Sequence, residues 1–329
     1  MNESKLASLL AITLTPPAVT RRYNREGDLL VTCGKDKTVN LWWTEDGQRA
    51  GTFNGHTGAV WTSDISYDST RLITGGADSA VILWDMNTGE EQHHFRFQEP
   101  CRAVKFSVGE AFAAVSSDPF MQAVSAVRIL PIAADPAEQG EEAVQTLRGP
   151  RGRIARVEWT DQNRTLITAS EDGFVRRWDV ETGKELAAEH VHEKNIQDLQ
   201  MSVDGTHFIT ASVDCSSKLV DTQTLAVLKT YQSNVPVNSA ALSPVYDHVI
   251  LGGGQDASQV TTTSSRAGRF ESRFFHKVFQ EEFGNVRGHF GPINAVSFSP
   301  DGTGFASGGE EGYVRLHKFD ADYFTTKFF

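Results

Sequence analysis

Seven acidic residues recur along this chain at a nearly constant interval, and that interval is the strongest constraint on what the chain can fold into. Asp36, Asp78, Asp118, Asp172, Asp214, Asp256 and Glu311 each follow a strand-like stretch that ends in small residues. Their separations are 42, 40, 54, 42, 42 and 55 residues. A repeat of roughly 40–45 residues matches one four-stranded blade of a WD-repeat propeller. Seven such blades fill the 329 residues. The expected fold class is therefore all-β, a seven-bladed WD-repeat β-propeller forming a single domain over residues 21–329, preceded by a divergent segment at 1–20.

Fixed offsets around the acids test the repeat more severely. Twenty-two residues before Asp78, Asp214 and Glu311 stand His56, His192 and His289, and six residues after Asp36, Asp78 and Asp172 stand Trp42, Trp84 and Trp178. The physical expectation is a buried hydrogen-bond chain running from Asp to His, to a Ser or Thr on the second strand, to the Trp indole. Such a chain gives each buried polar group a partner, whose absence would cost about 1–3 kcal/mol. Blade two carries the full set, His56, Thr74, Asp78 and Trp84. Other blades carry parts: Asp172 with Trp178, His192 with Asp214, His289 with Glu311. Val220 and His317 stand where Trp is expected, and Pro150 where His is expected. Neighbouring blades can hold such incomplete repeats in place.

Within blade two, "VWTSDIS", "TRLITGG", "AVILWD" and "EQHHFRF" read as four short strands separated by turn residues. "SVDG" at 202–205 and "SPDG" at 299–302 mark turns between first and second strands. The two long steps require insertions outside the regular sheet. In blade three the surplus is expected near 131–146, an acidic exposed loop. In blade six it is expected at 264–287, where Phe270, Phe274, Phe275, Phe279 and Phe283 alternate with charges and suggest a lengthened outer hairpin.

A formal net charge of −11 argues against a broad phosphate-tracking surface. The basic cluster Arg148, Arg151 and Arg153 reads as a solvated loop. Cys33, Cys101 and Cys215 are odd in number and far apart, which suits reduced thiols in the cytoplasm rather than a disulfide framework or a zinc site. No membrane-spanning apolar run is present. Catalytic signatures are also missing, including the nucleophile elbow, the His-Glu-x-x-His helix and the phosphate-binding loop. His190 and His192 could share one face of a strand, but His192 already fits the blade offset. Gly252-Gly253-Gly254 sits where other blades end their second strand. The expectation is a chain without catalytic, cofactor or metal residues that works by holding partners. The segment "KLASLLAITL" at 5–14 admits three readings: a strand that closes the ring on the last blade, a weak signal peptide, or an unattached extension.

Three stretches carry a more specific likeness. "YNREGDLL" at 23–30, the long run at 236–302 and "GGEEGYVRLHKFDADYF" at 308–324 resemble the WD-repeat subunit i family of eukaryotic translation initiation factor 3. The resemblance covers about residue 22 to the end, and the blade-six stretch makes it specific. Residues 1–20 do not match, and Glu311 stands where the family has Asp. The resemblance implies a non-enzymatic propeller docked by a C-terminal helix of the scaffold subunit b and associated with the RNA-recognition-motif subunit g. Contact with the small ribosomal subunit would be indirect, through the complex. It also implies a groove around blades five and six, where Asp198, Asp214 and Asp221 would form an acidic edge for a basic amphipathic helix. Asp214 belongs to its own blade turn, which makes Asp221 the better surface candidate. An adaptor or substrate receptor of another multiprotein complex is the alternative.

Overall fold

The computed structural model of the chain describes residues 7–13, 18–119, 124–150, 152–254 and 270–325. These form seven antiparallel sheets of four strands each, the blades of a β-propeller. The first strand of each blade faces the centre: Ala18–Tyr23, Val60–Ile65, Cys101–Phe106, Ile154–Thr160, Ile196–Met201, Val237–Leu242 and Ile293–Phe298. Each packs beside the next, and the last packs beside the first.

Why the strands look as they do follows from this stacking. In Arg71–Gly76, every residue after Arg71 is buried, because neighbouring blades cover both faces of the sheet. Apolar residues therefore run consecutively instead of alternating. The apolar clusters lie between blades, so that Ile82 and Trp84 pack on Val31, Leu41 and Phe53 of blade one. On the other face, Ile73 and Leu83 meet Val104, Phe106 and Val115 of blade three. Outer strands lack a second neighbour, and Glu185–His190 is exposed along nearly all its length.

The seventh sheet joins distant parts of the chain. Ala7–Thr13 runs antiparallel to Tyr313–Phe319, with Ala7 opposite Phe319 and Thr13 opposite Tyr313. Residues 1–6 and 14–17 lie outside the described residues.

The long step of blade three has two sources. The loop at 132–144 joins its third strand, Ala126–Pro131, to its fourth, Gln145–Arg148, and eight residues, 118–125, separate its second and third strands, of which 120–123 lie outside the described residues. Arg71 of blade two donates to the carbonyls of Ala133 and Ala134, which docks the acidic loop on its neighbour. Blade six departs from expectation. Glu271–His276 and Glu282–Arg287 are its regular third and fourth strands, so the surplus lies between Gly254 and Phe270 and overlaps the expected 264–287 only at 264–269. Residues 255–269, including Asp256, lie outside the described residues, as does Arg151. Consecutive phenylalanines arise because Phe274 packs towards blade seven and Phe275 towards blade five. Gly252 is required by the same crowding, since a Cβ there would stand 2.7 Å from Val296 Cγ1.

Candidate partner-binding surface

The polar chain of blade two is continuous. The Trp84 indole N–H donates to Thr74 Oγ1 at 2.8 Å, Thr74 Oγ1 lies 2.8 Å from His56 Nε2, and His56 Nδ1 lies 2.9 Å from Asp78 Oδ2. The Asp78 carboxylate can only accept, so Nδ1 carries a proton, and in the neutral imidazole Nε2 then accepts from the Thr74 hydroxyl. The Thr57 N–H also donates to Asp78. Partial burial pushes the Asp78 carboxyl up, but the His56 hydrogen bond and charge and the Thr57 and Gly58 amides outweigh it and hold it at about 2.

Other blades reach comparable results with different residues. His192 bridges Asp214 at 2.8 Å and Thr210 at 2.7 Å, while Val220 supplies only apolar packing. In blade seven His289 joins Glu311 to Ser307, and His317 fills the missing Trp position: its Nε2 lies 3.0 Å from Ser307 Oγ and its ring stacks on Phe305 at 4.3 Å. In blade four Trp178 donates to Thr168 at 3.0 Å, and Arg176 takes over from the absent His by donating to Asp172 at 2.7 Å and to Ser170 at 2.9 Å. Trp42 donates to Thr32 in blade one at 2.9 Å. Asp118 belongs to no such chain and is paired with Arg102 at 2.6 Å.

The central channel carries charges of alternating sign from successive blades. Arg22 meets Asp64 at 3.0 Å, Lys105 lies 3.5 Å from Asp64 and 3.3 Å from Glu158, and Arg156 meets Asp198 at 2.8 Å. Burial pushes Asp64 up to about 6 against the pull of Arg22, and Glu158 up to about 7 against Arg22 and Arg156. A carboxyl raised in the folded state contributes stability below its unfolded pKa and loses it as pH rises through the folded value. The advantage of Glu158→Gln over the native chain is therefore expected to grow by up to about 3 kcal/mol between pH 4.5 and 8. Denaturant titrations at several pH values check this, and a pH-independent difference would remove the idea.

The three carboxylates expected on one acidic edge do not meet. Asp198 is 7% exposed inside the channel, with Ser239 and Arg156 as partners, so it presents nothing to an outer edge. Asp214 and Asp221 lie at opposite ends of the strand Ser216–Asp221, which at ~3.3 Å per residue separates them by most of the blade height. Asp214 is held in its polar chain on one face of the propeller. Asp221 lies on the opposite face, where its Oδ1 accepts from the N–H groups of Gln223 and Thr224. The same cap recurs at Asp85 and Asp179.

Around Asp221 the turns of blades four and five, with Val108 from blade three, border an open cavity of about 700 Å³ that also includes Asp161 and Asp204. Val203 and Val108 stand 84% and 73% exposed at its edge. Asp161, Gln162 and Asn163 all adopt left-handed φ values of 50–71°, a strained run that its neighbours hold in place. Asn163 exchanges two hydrogen bonds with the Val108 backbone, at 2.8 and 2.7 Å, and Gln223 donates to Asp161 at 2.6 Å. Asp161 and Asp204 were not among the sequence candidates. The Ser-x-Asp turn at 202–204 identifies Asp204 as a turn residue but does not reveal that it shares a cavity with Asp221. An exposed apolar surface edged by three carboxylates suits a basic amphipathic segment.

Comparison with known proteins adds a separate line of observation. The sequence model of the family described as EIF3I matches residues 16–328. A Bombyx mori protein named "Eukaryotic translation initiation factor 3 subunit I" is 46% identical over 313 residues, covering 94% of this chain and 95% of its own length. Proteins of the same name from Nematostella vectensis and Xenopus laevis are 45% and 43% identical, covering 92% and 93% of this chain and 93% and 94% of their own lengths.

Proposed function

This chain belongs to the EIF3I family, and from that membership we propose that it is a non-catalytic interaction subunit of the eukaryotic translation initiation factor 3 complex. It acts in the cytoplasm and supports assembly of the initiation complex on the small ribosomal subunit. Residues 21–329 serve as one scaffold module, with the strand Ala7–Thr13 as its clasp. The observation that carries the choice of docking surface is the acidic, apolar-edged cavity of blades three to five. A helix with an apolar face and flanking Lys or Arg would bury Val203 and Val108 while its cations face Asp161, Asp204 and Asp221. The C-terminal helix of scaffold subunit b is the proposed occupant, and subunit g the second partner.

Because Asp221 also caps its own turn, the informative change is Asp221→Asn, which keeps an acceptor oxygen and removes the charge. Together with Asp204→Asn it is expected to weaken binding of a subunit b helix peptide by about tenfold or more, with thermal stability close to native. Calorimetric titration measures the affinity, and an unchanged value would eliminate this surface. Co-purification tests the broader reading: migration apart from the other factor subunits and the small ribosomal subunit would count against it.

A further inference from the structure

At the opposite mouth of the channel, every inner strand begins with the same irregularity. The first and third residues pair with the second strand and the residue between them is skipped, at Val19, Trp61, Arg102, Ala155, Gln197, Asn238 and Asn294. A bulge re-aims the side chain of the skipped residue. Trp61, Arg102, Ala155, Gln197, Asn238 and Asn294 line a cavity of about 340 Å³, with Lys35 and Glu310 contributed from turns. One backbone device, repeated around the ring, thus presents different chemistry from different blades.

The wall is divided. On one side the Arg102 guanidinium lies 4.2 Å from the Trp61 ring centroid. On the other, three successive blades supply the amides of Gln197, Asn238 and Asn294. Among the described residues Gln197 and Asn294 make no side-chain hydrogen bond, and Asn238 uses only its Nδ2, on the Ile293 carbonyl at 3.2 Å. Open amides offer both donors and acceptors, the complement of an extended main chain, which presents N–H and C=O groups in alternation. Two of the three cations are not free to clamp a phosphate, since Arg102 is held by Asp118 at 2.6 Å and Arg156 by Asp198 at 2.8 Å, and the third, Lys35, shares the wall with the carboxylates of Glu171 and Glu310.

We propose that this mouth is a second, separate binding site that takes an uncharged, extended peptide segment, its main chain read by Gln197, Asn238 and Asn294 and a side chain packed against Trp61. The site is on the opposite face from Asp221, so the two functions fail independently.

The probe is a random library of eight-residue peptides built from uncharged residues, with both ends blocked, passed over the immobilised full chain. Retained sequences are resynthesised with a fluorophore for anisotropy measurements. The expected result is selective retention, lost by about tenfold in the Gln197→Ala/Asn294→Ala double variant and unaffected by Asp221→Asn. Selective ¹⁵N labelling of Asn and Gln gives a readout that needs no variant, since bound peptide should shift the side-chain amide signals of the mouth. Absence of retention, or retention indifferent to the double variant with unshifted amides, overturns the proposal. Binding of an eight-residue oligouridine RNA in place of peptide, with the same dependence on Gln197 and Asn294, overturns it in favour of nucleic-acid recognition.

Discussion

Replacing Thr74 with valine is expected to destabilise the propeller by about 2–4 kcal/mol although the two side chains have nearly the same shape, because two buried groups lose their partner together. Thr74 is fully buried, and its hydroxyl bridges the Trp84 indole and the His56 ring. Thr210→Val in blade five provides the control. There Val220 occupies the Trp position, so the hydroxyl serves His192 alone among side chains, and about half the loss is expected. Urea unfolding followed by circular dichroism measures both. Equal losses would show that the hydroxyl does not act as a hub.

Arg176→Leu in blade four should cost a similar amount, about 3 kcal/mol, because it leaves the Asp172 carboxylate largely buried without its cation. The pH dependence separates this cause from lost packing. Burial pushes Asp172 up, but hydrogen bonds from Arg176, Ser170 and the Phe174 amide outweigh it and hold it below the usual carboxylate range. A carboxyl depressed in this way contributes stability above its unfolded pKa and loses it as pH falls through the folded value. The deficit of the variant should therefore shrink between pH 5 and pH 3. A deficit of the same size at both ends would assign the effect to packing.

The features legible in the sequence were those set by one blade acting alone. His56, Thr74, Asp78 and Trp84 recur at fixed offsets because the geometry of one hairpin dictates them. Substitutes drawn from other positions were harder to read: Arg176 reaches Asp172 from the third strand, and no fixed spacing ties a guanidinium to a missing imidazole. His317 was visible as an exception but not as a replacement, because its role depends on a serine proton that only the assembled blade positions. Contacts between blades were the least legible. Asp198 resembles a surface acid until Arg156 and Ser239, 42 and 41 residues away, close around it. The cavity shared by Asp161, Asp204 and Asp221 depends likewise on turns from two repeats. Phe274 and Phe275 misled because period-two reasoning assumes one wet face, which a stacked blade does not have.

The pairing of Ala7–Thr13 with Tyr313–Phe319 has a consequence for the timing of synthesis. At about 5–20 residues per second, the intervening chain of roughly 300 residues takes about 15–60 s to make. Through that interval the first strand has left the ribosome while its partner does not yet exist. Blades one to six can form as they emerge, each from contiguous sequence, but the seventh must wait for the last hairpin. A nascent chain halted before residue 313 should therefore hold several finished blades and one unmatched edge, a state open to chaperones or to another strand.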